Sequence, residues 1–114
     1  MPSPTQRRGG RAELRAVFYL RRHGYTIIAQ HITSRFGEID IICKKDETIY
    51  VVEVKYRRKN DDWPIELAMT EGKVRRMVLT YQAYAQETKQ LFTPNLACLW
   101  LLLSPDTIRV ISIG

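Results

Sequence analysis

Apolar and polar positions alternate along this chain with two different periods, and the switches between them mark out its elements. From Arg11 to about His23, Glu13, Ala16, Val17 and Leu20 fall at i, i+3, i+4 and i+7, one face of an amphipathic helix. Gly24 stands where a C′ glycine ends such a helix. Tyr25–Ile32 is rich in β-branched and aromatic residues and predicts a first strand. Glu38–Cys43 alternates, with Glu38, Asp40 and Ile42 on one side and Ile39, Ile41 and Cys43 on the other. Thr48–Tyr56 alternates as well and sets Ile49, Val51, Glu53 and Lys55 on a single face. The polar tetrad Lys45-Asp46-Glu47-Thr48 between these runs predicts a tight hairpin.

Lys59–Pro64 (KNDDWP) is a polar loop whose proline can open a helical turn. Thr70 caps a longer helix running to about Gln90, with Val74, Met77, Val78, Tyr81 and Ala85 on its apolar face. Two more strands, about Ala97–Leu103 and Thr107–Ile113, flank the turn signal Ser-Pro-Asp. Leu96–Leu103 is almost continuously apolar, as a strand covered on both faces requires. The order is α-β-β-β-α-β-β. A helix between the third and fourth strands permits a right-handed crossover, which makes those strands parallel neighbours. The fold class expected is α/β, a mixed sheet flanked by helices.

With 114 residues the chain has the size of one domain, and 45% apolar with 26% charged residues is ordinary globular usage. Residues 1–10 hold two prolines and two glycines and read as a flexible basic arm, leaving 11–114 as a single domain. No apolar run approaches the ~20 residues that span a bilayer, and no apolar stretch follows the N-terminal arginines as in a secretory signal. The expectation is a cytoplasmic protein with no membrane partner. Cys43 and Cys98 lie far apart in apolar stretches and read as buried, reduced thiols. With no C-x-x-C pair and no His-Cys cluster, structural zinc and c-type haem are excluded. The net charge is +6, unevenly spread: residues 1–60 carry 13 Lys/Arg against 6 Asp/Glu, the remainder 5 against 6. A basic half on a small domain points to a polyanion, most commonly nucleic acid.

The hairpin fixes the register of the chemistry. With Asp46-Glu47 as a two-residue turn, Lys45 pairs with Thr48, and Asp40 then falls opposite Glu53 and Glu38 opposite Lys55. Opposed side chains share a face with Cβ atoms about 4.5–5.5 Å apart, so two carboxylates meet head-on. Like charges at that spacing destabilise a sheet unless a positive charge intervenes, and a hard divalent cation suits carboxylate oxygens. Glu13, on the core-facing side of the first helix, adds a third carboxylate, which calls for a metal or a cationic partner unless that side is a hydrophilic helix edge. Such a set suits phosphodiester hydrolysis. Asp40 and Glu53, with the backbone carbonyl of Val54, would hold one or two Mg²⁺ or Mn²⁺ ions. Lys55 would orient the attacking water or stabilise charge developing on the phosphate. Taken bare, D-x₁₂-E-x-K is a weak pattern; the hairpin register, the upstream Glu and the basic surround give it weight.

These residues resemble the PD-(D/E)xK nuclease superfamily and, more narrowly, the small bacterial YraN family, related to archaeal Holliday-junction resolvases. The matching pieces are Ala12-Glu13 with Ala16 and Tyr19-Leu20, Gly24-Tyr25, and Gly37-Glu38-Ile39-Asp40-Ile41-Ile42. They continue as Val51-Val52-Glu53-Val54-Lys55-Tyr56-Arg57, Pro64-Ile65-Glu66-Leu67-Ala68, and Lys73 with Arg75-Arg76. The resemblance implies a restriction-endonuclease-like core, metal ligation by Glu13, Asp40 and Glu53, and a catalytic Lys55. It also implies a homodimer, because resolvases cut two strands symmetrically. Where that family usually carries Asn and Arg before GEID, this chain has His31 and Thr33, and Arg35 is the candidate to replace the lost positive charge.

Further basic residues are candidate nucleic-acid contacts. Lys73, Arg75 and Arg76 crowd the start of the second long helix, where their charge opposes the helix dipole and phosphate would be welcome. Arg57 and Arg58 follow the third strand and can track a backbone. The leading expectation is a metal-dependent endonuclease-like protein acting on DNA rather than RNA, with branched or damaged DNA as the substrate class. The alternatives are a nucleic-acid-binding module on the same fold that does not cleave, and an interaction protein whose basic half serves solubility.

Overall fold

The computed structural model describes residues 4–58, 69–89 and 95–113, with side chains from residue 10 onward. Seven elements follow one another: α1 (Pro4–Arg22), β1 (Thr26–Ser34), β2 (Gly37–Lys45), β3 (Thr48–Tyr56), α2 (Glu71–Glu87), β4 (Asn95–Leu103) and β5 (Ile108–Ile113). The expected order is therefore present, in an α/β fold with one five-stranded mixed sheet ordered β1-β2-β3-β4-β5. The β3–β4 pair is parallel and the other three pairs are antiparallel. The loop Lys59–Pro64 and the segment Pro64–Ala68 fall outside the described residues.

Local chemistry sets the helix ends. In α1 the amide of Tyr25 donates to the carbonyl of Leu20 at 3.0 Å and that of Gly24 to Arg21 at 3.1 Å. These two bonds form a Schellman motif, and Gly24 supplies its left-handed residue at φ 88°. Thr70 caps α2 by accepting from the amide of Lys73 at 3.1 Å. One boundary differs from expectation: α1 begins at Pro4, where residues 1–10 read as a loose arm. Proline suits the first turn of a helix, so a Pro near the start signals initiation as readily as looseness.

Each helix covers one face of the sheet. Ala12, Ala16, Val17 and Leu20 of α1 pack on Ile41, Cys43, Val52, Leu99, Leu101 and Leu103. Met77 and Tyr81 of α2 pack on Ile39, Ile42, Ile49, Val51 and Cys98. Covered on both sides, β4 is buried continuously from Cys98 to Leu103, as its unbroken apolar run requires. Cys43 and Cys98 are free and buried. Burial pushes the Cys43 thiol up to about 12, which removes it as a nucleophile near neutral pH.

The alternation expected for β2 breaks at its centre. Ile39 packs with Ile42 on the α2 side instead of joining Ile41 and Cys43 on the α1 side. β1 is irregular alongside: its pairing with β2 slips between Ile27 and Ala29, opposite Cys43 and Ile42, and His31, between the Gln30–Ile41 and Ile32–Ile39 pairs, takes a left-handed backbone, φ 55°. His31 thus falls at the Asp40 position of the pairing.

Candidate active site at the end of the β2–β3 ladder

The hairpin register is the one that the two-residue turn dictates. Lys45 pairs with Thr48, Cys43 with Tyr50 and Ile41 with Val52. Asp46 adopts φ 55° in the turn, a conformation Asp tolerates better than most residues. The next step places Asp40 beside Glu53, but the backbone ladder stops short of it. A continued ladder would bring the Val54 amide to Ile39. The Asp40 Oδ2 accepts that N–H instead, at 2.8 Å. For the same reason the expected Glu38–Lys55 pair is not part of the ladder, and Glu38 pairs with Thr33 of β1.

This diversion holds the Asp40 carboxylate next to three charged neighbours. Burial pushes its pKa up; the Val54 amide opposes that shift, Glu53 and Glu38 add to it, and His31 opposes it. Glu13 arrives from α1. Its buried carboxylate receives His31 Nε2 at 2.5 Å. Burial raises the Glu13 pKa, with His31 opposing and Asp40 reinforcing the shift. From the α2 side, Lys73 Nζ pairs with Glu53 Oε1, both groups largely buried. The other Glu53 oxygen, Oε2, is buried without a hydrogen-bond partner among the described residues.

Asp40 thus lies within electrostatic reach of Glu13 from α1 and of Glu53 from β3. The donor chemistry fits a hard divalent cation: carboxylate oxygens, one of them unsatisfied. The Val54 carbonyl faces the same strand edge as its N–H, which donates to Asp40. Among the described residues, no three His, Cys, Asp or Glu side chains stand close enough together to hold a metal ion as placed. Instead, two of the three carboxylates are engaged by the chain's own bases, His31 and Lys73.

The sequence profile described as Uncharacterised protein family UPF0102 matches residues 12–112. The chain belongs to the UPF0102 family. A UPF0102 protein of Vibrio parahaemolyticus is 40% identical over 86 residues, covering 75% of this chain and 70% of its own length. One from Dichelobacter nodosus is 39% identical over 83 residues, 73% of this chain and 66% of the relative. One from Kosmotoga olearia is 33% identical over 114 residues, the whole of this chain and 90% of the relative.

In this UPF0102 protein the remaining candidate residues are distributed unevenly. Lys55 is half-buried on β3, two residues beyond Glu53 and on the same side of the pleat. Lys73 is drawn into the site and neutralises Glu53. Arg75 and Arg76 are exposed on α2, with the Arg76 stem beside Gly37. Arg35 lies over the Phe36 ring, 4.8 Å from its centroid, and lines a cleft of about 660 Å³ between β1 and α2 that also reaches His31. Arg57 and Arg58 border clefts on the other side of the molecule. His31 and Lys73 are the residues whose part in the site goes furthest beyond expectation. A signal for Lys73 exists in the sequence: it precedes Met77 by four residues and Tyr81 by eight, which puts it on the buried stripe of α2.

Proposed function

We propose that this UPF0102 protein is a metal-dependent nuclease-like hydrolase that acts on the phosphodiester backbone of DNA. The observation that carries the reading is the placement of Asp40 beside Glu53, with Glu53 Oε2 buried and unsatisfied. Asp40, Glu53 and the Val54 carbonyl would hold Mg²⁺ or Mn²⁺, with Glu13 as the further carboxylate. The ion supplies Lewis acidity and an activated water at neutral pH. Asp40 stays oriented because the Val54 amide holds one of its oxygens. Lys55, on the Glu53 side of β3, supplies positive charge where the phosphorane forms. Lys73 and His31 keep Glu53 and Glu13 charge-compensated until a cation takes over that role. Branched or damaged DNA, a homodimer and a cytoplasmic setting complete the proposal.

A second reading rests on the same pairs. Carboxylates already matched by Lys73 and His31 are compatible with a binding module on this fold that holds nucleic acid without cutting it. The two readings separate in one assay. Labelled duplex, single-stranded, flap and four-way-junction DNA are incubated with the protein in Mg²⁺, Mn²⁺ or EDTA. Metal-dependent cutting lost in Asp40→Asn supports the nuclease. Retarded but intact DNA in every condition supports the binding module.

A further inference from the structure

Two clefts meet behind the candidate site, and arginine dominates both. The first, about 380 Å³, is lined by Arg11, Ala12 and Arg15 of α1 with Tyr56 and Arg58 at the end of β3. The second, about 330 Å³, runs along the β4–β5 turn and includes Arg57, Arg58, Asp106 and Arg109. Arg58 borders both. Together the described linings hold five arginines against one carboxylate, Asp106. The second cleft of this basic track adjoins the candidate site through β3: Lys55, two residues beyond Glu53, pairs in register with Leu102, which lines that cleft. Arg11 and Arg15 stand two residues to either side of Glu13, on the opposite side of α1.

The structure assigns this track as a binding surface for the phosphate backbone of duplex DNA, an assignment that rests on the nuclease reading for its position but not for its chemistry. A guanidinium presents five N–H donors in a fork that matches phosphate oxygens. Arg15 spends one donor on the carbonyl of Ser104, at 2.7 Å, which fixes the side chain and leaves others available. That bond also ties α1 to the β4–β5 turn, joining a residue of the first cleft to one of the second. Five arginines over two adjoining clefts exceed what a single phosphate needs and suit a line of them. Contacts of this kind position a duplex without reading its sequence.

The test measures binding of a labelled 20-bp duplex to the full chain carrying Asp40→Asn, in EDTA, between about 50 and 200 mM salt. Phosphate contacts predict that log K falls linearly against log salt, with a slope of about −0.9 for each contact made. Arg11→Gln/Arg109→Gln removes one exposed arginine from each cleft, and should cut the slope by about 2 and weaken binding at least ~10-fold near 100 mM salt. Arg21→Gln/Lys44→Gln, the same charge change elsewhere, should leave both within about twofold. Circular dichroism confirms that each variant is folded, and Arg58→Gln, at the junction, repeats the test with one change. The assignment is overturned if Arg11→Gln/Arg109→Gln binds like its parent, if the control loses as much, or if the parent does not bind. Cleavage by the unmutated site in Mn²⁺ is scored separately. Cutting with an unaffected Arg11/Arg109 variant sinks the track alone, and track-dependent binding without cutting sinks the nuclease alone.

Discussion

The amide of Val54 donates to the carboxylate of Asp40 across the β2–β3 hairpin, 2.8 Å away and just past the last backbone pair of that ladder. A side chain has replaced a main-chain acceptor, and this ends the ladder where the candidate chemistry begins. The bond fixes the carboxylate of Asp40, keeps the Val54 carbonyl on the same edge, and holds two acidic side chains together against their repulsion.

That repulsion gives a stability prediction. Asp40 has a raised pKa in the folded chain, chiefly from burial, with Glu53 and Glu38 adding to it. A raised folded-state pKa means stability that is fully present below the ordinary carboxylate range and lost as pH rises through the raised value. Asp40→Asn keeps an oxygen for the Val54 amide and removes the charge. Its Tm should exceed that of the wild type at pH 7.5 by on the order of 4 °C, equivalent to about 1 kcal/mol. The difference should vanish near pH 4. Equal Tm values at both pH values would remove the electrostatic account of this site.

Lys73 holds the opposite role. Removing it leaves the carboxylate of Glu53 largely buried with neither oxygen neutralised. Lys73→Met should lower stability in EDTA by about 2 kcal/mol, less than a fully buried pair because Lys73 is 28% exposed. Millimolar Mn²⁺ should then raise the Tm of Lys73→Met more than that of the wild type, since cation and lysine compete for one carboxylate. Thermal melts with and without Mn²⁺ read both effects.

His31 carries a left-handed backbone at φ 55° in mid-strand while its ring engages Glu13. Both Ala and Gly substitutions lose the ring, but only Gly adopts that backbone without cost. His31→Gly should therefore be more stable than His31→Ala by about 1 kcal/mol in urea unfolding. If Ala equals or exceeds Gly, the backbone at this position is not constrained as described.

Lys55→Ala tests the chemistry without touching the paired carboxylates. Single-turnover cleavage in Mn²⁺ should fall about 10²–10³-fold while duplex binding and Tm stay near the wild type, as expected for a group that acts on developing charge. A parallel loss of binding would make Lys55 an anchoring residue instead.

Much of this arrangement is legible in the sequence, for definable reasons. The two-residue turn at Asp46-Glu47 fixes the hairpin register by counting, so Asp40 beside Glu53 follows from covalent spacing alone. The apolar run Leu96–Leu103 and the helix before it likewise dictate a parallel, doubly covered β4. What spacing does not encode is where regularity fails. The slip at Ile27/Ala29, the φ of His31 and the turning of Ile39 toward α2 have no counterpart in the periodicity of either strand. The His31–Glu13 contact joins residues 18 apart on a helix and a strand, and no periodicity of either element predicts it. The spacing of Lys73 from Met77 and Tyr81 puts it on the buried stripe of α2, but its basic neighbours Arg75 and Arg76 make the whole turn read as a phosphate-facing edge.

The most direct test of the central claim is a Mn²⁺ titration followed by the electron paramagnetic resonance signal of the free ion. Wild-type protein should deplete that signal by one or two ions per chain, and Glu53→Gln and Asp40→Asn should each abolish the depletion, while Glu47→Gln at the hairpin tip should bind as the wild type does. A wild type that leaves the free-ion signal unchanged up to millimolar Mn²⁺, or Asp40→Asn and Glu53→Gln variants that bind undiminished, would contradict a metal centre at the end of the β2–β3 ladder.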